Sequence, residues 1–90
     1  MKFEWNARKA ALNLKKHGVT FEEAATVFRD TLSVTGHDPD HSTNEERFIT
    51  FGVSSLKRLL VGSHADRKDA VRMISARMAT KRERKIYEEG

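Results

Sequence analysis

Arg67, Arg72 and Arg77 recur at five-residue spacing, and Arg47 and Arg58 open the two segments before them. A guanidinium group stays charged and grips phosphate oxygens in pairs, so several on one surface suit a polyanion. Arg72 and Arg77 are the leading candidates to stabilise charge there, with Arg67 and Arg58 as further phosphate contacts. The ordinary alternative is surface ion pairing to Glu46, Asp66, Asp69 or Glu83, worth about 0–1 kcal/mol per pair. His64, just ahead of Arg67, is the side chain in this half whose ordinary pKa lies nearest neutrality, which makes it the candidate acid or base. Tyr87 can stack on a base or donate its hydroxyl, or it can close the core. His37-Asp38-Pro39-Asp40-His41 puts four potential metal ligands into five residues. With no cysteine and no preorganised further ligand it reads as a solvated acidic loop, and no metal or cofactor is expected.

The charge balance points the same way. Residues 1–45 carry six Lys/Arg against seven Asp/Glu, and residues 46–90 carry eleven against six. The basic excess of the whole chain therefore sits in its second half, as in proteins that meet nucleic acid. Curved sheets bearing arginines suit RNA better than the major groove of a duplex, which takes an inserted helix or ribbon.

The elements that must carry these residues fit one domain spanning 1–90, with room for one small core and one working face. The absence of cysteine excludes disulfides, thiolate metal sites and cysteine nucleophiles. No uninterrupted apolar run exceeds three residues, as in Leu59-Leu60-Val61, so no membrane association is expected. The opening Met1-Lys2-Phe3-Glu4-Trp5 has no apolar signal core behind it, which points to the cytoplasm.

Phe3 and Trp5 alternate with polar residues as in a short strand. Asn6 suits an N-cap, Ala7, Ala10, Ala11 and Leu14 line one helical face, and Gly18 suits the left-handed stop. Thr20 with Glu23 is a capping-box spacing that opens a second helix with Phe21, Ala24, Ala25 and Phe28 on its apolar face. Leu32 and Val34 alternate as a strand, followed by a polar loop over 36–46. Strands are expected over 47–53, 58–64 and 70–76, with turns at 52–57 and 65–69. Thr80 with Glu83 repeats the capping spacing and opens a last helix through Ile86 and Tyr87. The order β-α-α-β-β-β-β-α predicts an α+β domain, with an antiparallel meander of four to five strands, two N-terminal helices and one C-terminal helix.

The order of several short segments resembles the BrnT family of toxins from bacterial type II toxin–antitoxin systems. They are Phe3-Glu4-Trp5 and Lys9-Ala10, Asn13, Lys16-His17-Gly18-Val19, Phe21-Glu22-Glu23-Ala24 and Val27-Phe28-Arg29-Asp30. Further on come Glu46-Arg47, Gly52-Val53-Ser54, Arg58-Leu59-Leu60-Val61, Arg72, Ile74-Ser75-Ala76-Arg77, Ala79-Thr80, Glu83-Arg84 and Tyr87-Glu88. The chain departs from the family pattern at Asn6, Thr31 and Gly62-Ser63, and at Met78, where the family often has a second cation beside the arginine.

The resemblance implies a RelE-like ribonuclease fold and RNA cleavage that slows translation and growth; with no metal site expected, that cleavage is read as metal-independent. It implies a BrnA-type antitoxin with a ribbon-helix-helix segment, and contact with operator DNA only through that antitoxin. It also implies a site in which Arg77 and Tyr87 lie near the cut, and the residue reading adds Arg72 to stabilise charge and His64 as acid or base. Arg67, Arg58, Lys81 and Arg84 would bind the RNA. The alternative is a module that binds nucleic acid or antitoxin without catalysis.

Overall fold

The computed structural model describes residues 1–41 and 45–89. The loop expected over 36–46 includes residues 42–44, which lie outside the described residues. Strand β1 (Lys2–Glu4) leads into helix α1 (Ala7–His17) and helix α2 (Phe21–Thr26). Strands β2 (Val34–His37), β3 (Arg47–Val53), β4 (Leu59–Arg67) and β5 (Ala70–Met78) follow, and helix α3 (Lys81–Glu89) ends the chain.

Local chemistry sets the helix ends. The Asn6 side chain accepts from the Lys9 amide, and Gly18, at φ 69°, donates its N–H to the Leu14 carbonyl. Lys15, Lys16 and His17 occupy the last turn of α1, where cations oppose the negative end of the helix dipole. Thr20 caps α2 through the Glu23 amide. The Glu23 carboxylate does not return the bond, as the capping spacing would suggest. Helix α2 gives way to a tight 3-10 turn at Val27–Arg29.

The five strands form one sheet in the order β1-β5-β4-β3-β2. From β2 to β5 it is the expected antiparallel meander. β1 differs: it joins the far edge parallel to β5, Phe3 beside Val71. The chain between these two parallel strands runs through both helices and the whole meander, more than the long connection a parallel pair requires. Leu32 is not in a strand but in an exposed turn. β4 runs on through Arg67, so the turn expected over 65–69 shrinks to Lys68–Asp69.

Helices α1 and α2 cover one face of the sheet. Val19, Phe21, Ala24 and Val27 pack there on Leu60, Val71, Met73 and Ala76, with Trp5 edge-on to Phe21. Gly52 lets the 3-10 turn approach β3, because a Cβ there would lie 2.6 Å from the Val27 Cγ1. No helix among the described residues is long and apolar enough to cross a membrane.

Candidate nucleic-acid interface

Directly opposed residues on neighbouring strands share a face, so the register assigns each side chain. Arg47, Ala65 and Arg72 form one row across β3, β4 and β5. Phe51, Val61 and Arg77 form another. Both rows lie on the face away from α1 and α2.

That arrangement depends on an irregularity. Residues five apart on a regular strand point to opposite faces. In β5, Met73 opposes His64 and Ser75 opposes Ser63, so Ile74 is an extra residue. The bulge resets the alternation and returns Arg77 to the face of Arg72. An open concavity of about 230 Å³ lies on this face beside Arg77, lined also by Arg47, Ile49, Ile74, Ser75 and one carboxylate, Asp38; Arg72 stands on the same face outside its lining.

The outer edge of β5 is held beside the bulge. β1 pairs only with Ala70 to Arg72. Farther on, the buried Asn13 amide replaces a strand: it accepts from the Ala76 N–H at 3.0 Å and donates to the Ala76 carbonyl at 2.8 Å. The same amide nitrogen donates to the Val19 carbonyl, so α1, the turn after it and β5 are locked together.

The two principal arginines differ in state. Arg72 is half-buried, with no hydrogen bond or ion pair to any described residue. Arg77 makes a two-pronged contact with Glu83, at 2.7 and 2.8 Å. That hydrogen-bonded pair, with the Thr80 amide, outweighs desolvation and holds the Glu83 carboxyl at about 2, well below the usual carboxylate range. Glu83 also completes a reciprocal capping box with Thr80, as the sequence pattern requires.

One turn along α3, Tyr87 donates its hydroxyl to Asp30 at 2.5 Å, and Asp30 accepts from the Val53 and Leu32 amides. Burial pushes the Asp30 carboxyl up, but these three donors outweigh it and leave it below its ordinary value. Helix α3 has no buried residue, so Glu83 and Tyr87 are its polar anchors at the end of the sheet. Lys81 and Arg84 are exposed on it.

Two sequence expectations need correction. His64 does not join the arginines: it lies on the opposite face, where it is 2% exposed. Its ring is edge-on to Phe28 and stacked on Phe48. Nε2 meets the Thr50 hydroxyl at 2.8 Å, and Nδ1 meets Asp66 at 3.1 Å. Desolvation pushes its pKa down despite Asp66, so the neutral ring is the resting form. Arg58 is also committed elsewhere. Its guanidinium pairs with the buried Glu23 and donates to the Gly18 carbonyl, while Ser54 adds a hydrogen bond to the same carboxylate. It ties β4 to the first two helices and does not face the concavity.

Arg67 lies on the arginine face at the sheet's margin, with its guanidinium 3.6 Å from Glu4 and 3.5 Å from Glu45. Arg47, which the site assignment from sequence left out, lines the concavity itself. Its alternation with Ile49 at the start of β3 is the signal that could have found it.

A sheet face bearing several arginines, bordered by a helix pinned at its polar residues, defines the class: a small α+β protein with a mixed five-stranded sheet. The family model described as the ribonuclease toxin BrnT of type II toxin–antitoxin systems matches residues 5–83. The chain belongs to that family. The fold is similar to that of the Brucella abortus ribonuclease toxin BrnT in its crystal structure, with a TM-score of 0.66 and 24% identity, covering 90% of this chain and 99% of that one. No curated protein matches the sequence.

Proposed function

We propose that this chain is a metal-independent endoribonuclease that cuts RNA on the bare face of its sheet and so slows translation and growth. The observation that carries the reading is the bulge in β5, which puts Arg72 and Arg77 on one side of a concavity-bearing face. In the reaction the ribose 2′-hydroxyl gives up its proton and its oxygen attacks the adjacent phosphorus, the bond from phosphorus to the 5′-oxygen breaks, and that oxygen takes a proton from solvent, leaving a 2′,3′-cyclic phosphate and a 5′-hydroxyl. Arg72 takes a phosphate oxygen directly, since it has no partner to leave among the described residues. Arg77 leaves Glu83 to bind the charge that grows on the pentacoordinate phosphate.

Its departure releases Glu83 from the contact that depresses its pKa, and the freed carboxylate takes the proton of the 2′-hydroxyl. Tyr87 anchors the helix that presents Glu83. Arg67, Lys81 and Arg84 extend the electrostatic attraction around the site. The partner that silences the toxin is a BrnA-type ribbon-helix-helix antitoxin, through which the pair contacts operator DNA. The half-buried Ile49, Phe51 and Ile74 on the arginine face support a protein partner there, and binding to antitoxin without any cleavage is the second reading.

The test is end-labelled single-stranded RNA incubated with the purified chain, with and without EDTA, beside Arg72→Ala and Arg77→Ala. EDTA-resistant cleavage that falls by about 10²-fold or more in both variants is expected, the scale of losing one transition-state donor. Full activity in Arg72→Ala would overturn the assignment. Binding of RNA or antitoxin with no cleavage at all would favour the second reading.

A further inference from the structure

A second groove adjoins the first across the edge of β5. It has a volume of about 210 Å³ and is lined by Lys9, Leu12, Lys16 and His17 of α1 and by Ile74 and Ser75 of β5. Ile74 and Ser75 also line the concavity on the arginine face. The two hollows therefore meet at the bulge, where β1 no longer covers the strand edge.

Lys9 and Lys16 are seven residues apart, which places them on one side of α1, about 10 Å apart along its axis. Neither forms an ion pair among the described residues. Leu12 lies between them and is 58% exposed, an apolar surface that no part of the described chain covers. Two free cations flanking an exposed aliphatic side chain match the alternation of a single strand of nucleic acid, phosphate outside and sugar or base against the apolar surface.

We propose that α1 carries a second RNA-binding subsite, in which Lys9 and Lys16 hold the backbone of the same single strand after it crosses the β5 bulge from the arginine face. The inference rests on the nucleic-acid reading above and deepens it. RNA leaving Arg77 and Ser75 runs over the strand edge instead of along the sheet. The charge of the first half of the chain, slightly acidic in sum, conceals this basic strip because its carboxylates are elsewhere. The subsite contributes to binding length and affinity, and the reacting phosphate stays between Arg72 and Arg77.

The test measures binding of a fluorescein-labelled 2′-O-methyl oligouridine of about twelve nucleotides by anisotropy across a salt series. Each phosphate contact contributes about 0.7 to the slope of log K against log salt for a single strand. Lys9→Ala/Lys16→Ala is expected to reduce that slope by about 1.4, and Arg72→Ala by about 0.7. Lys9→Arg/Lys16→Arg is expected to leave it unchanged. A variant of equal charge loss at two exposed positions away from both grooves, Arg29→Ala/Lys57→Gly, is also expected to leave it unchanged.

All four lysine and arginine positions of these paired variants are exposed, so unaltered thermal unfolding accompanies the measurement. An unchanged slope in Lys9→Ala/Lys16→Ala, with Arg72→Ala still reducing it, overturns the subsite and leaves the nucleic-acid reading standing. An equal loss in Arg29→Ala/Lys57→Gly also overturns it, by showing a mere net-charge effect. Failure of the unaltered chain to bind the oligonucleotide overturns both.

Discussion

Replacing Glu83 by glutamine removes the charge that holds Arg77 while keeping an acceptor for the Thr80 amide. The fall of the Glu83 carboxyl from its ordinary 4.5 to about 2 sets the scale. At about 1.36 kcal/mol per pH unit, that difference corresponds to at most about 3.4 kcal/mol. Arg77 is 41% exposed, so water screens the pair, and about 1–2 kcal/mol is the expected net effect. The folded-state pKa is depressed, so this stability is fully present above about pH 5. It is lost as the pH falls through the range between 4.5 and about 2.

Urea unfolding of the unaltered chain and of Glu83→Gln checks both the size and the sign. At pH 7 the variant should be less stable by about 1–2 kcal/mol, equivalent to a Tm lowered by roughly 10 °C for a domain of this size. Near pH 2 the two proteins should converge. A gap of the same size at both pH values, or no gap at pH 7, would refute the assignment of that stability to the Arg77–Glu83 pair.

Three further outcomes follow from the packing. Asn13→Ala strips the Ala76 amide and carbonyl and the Val19 carbonyl of their partner in a buried setting, so urea titration should show a loss of roughly 2–4 kcal/mol. Gly52→Ala drives a methyl into Val27 and should cost roughly 1–3 kcal/mol by the same measurement, with RNA cleavage by the folded fraction unchanged. His64→Gln should leave the rate of RNA cleavage at pH 7 unaltered. The buried ring has a depressed pKa, so the unaltered chain should lose stability as pH falls below about 6.5, and the variant should lack that dependence.

Much of the scaffold was legible because it is written in local chemistry. Asn6, Gly18, Thr20 and the Thr80–Glu83 pair mark helix ends through bonds that span only a few residues. The meander from β2 to β5 follows from apolar alternation with short turns. The parallel docking of β1 was not legible, because a three-residue strand carries no sign of its partner.

The site was harder to read, for one reason repeated. A side chain's face depends on register, and the extra residue at Ile74 announces itself in no residue type. Counting by twos along β5 sends Arg72 and Arg77 apart, when they share a face. His64 looks like a poised titratable group in sequence, and only the rings of Phe28 and Phe48 disclose that it is enclosed. Arg58 looks like its neighbours until Glu23, 35 residues earlier, is brought beneath it. Arginine composition thus indicated the polyanion, and long-range contacts sorted the arginines into those that hold the fold and those that face outward.

The central claim is that RNA meets Arg72 and Arg77 on the bare face of the sheet. Its most direct test is to titrate the isotopically labelled chain with non-cleavable 2′-O-methyl RNA and follow each arginine Nε–H and the His64 ring by NMR. The account predicts that the Arg72 and Arg77 signals shift with the RNA while those of Arg58 and His64 stay in place. Shifts at Arg58 and His64, with Arg72 and Arg77 unmoved, would contradict it.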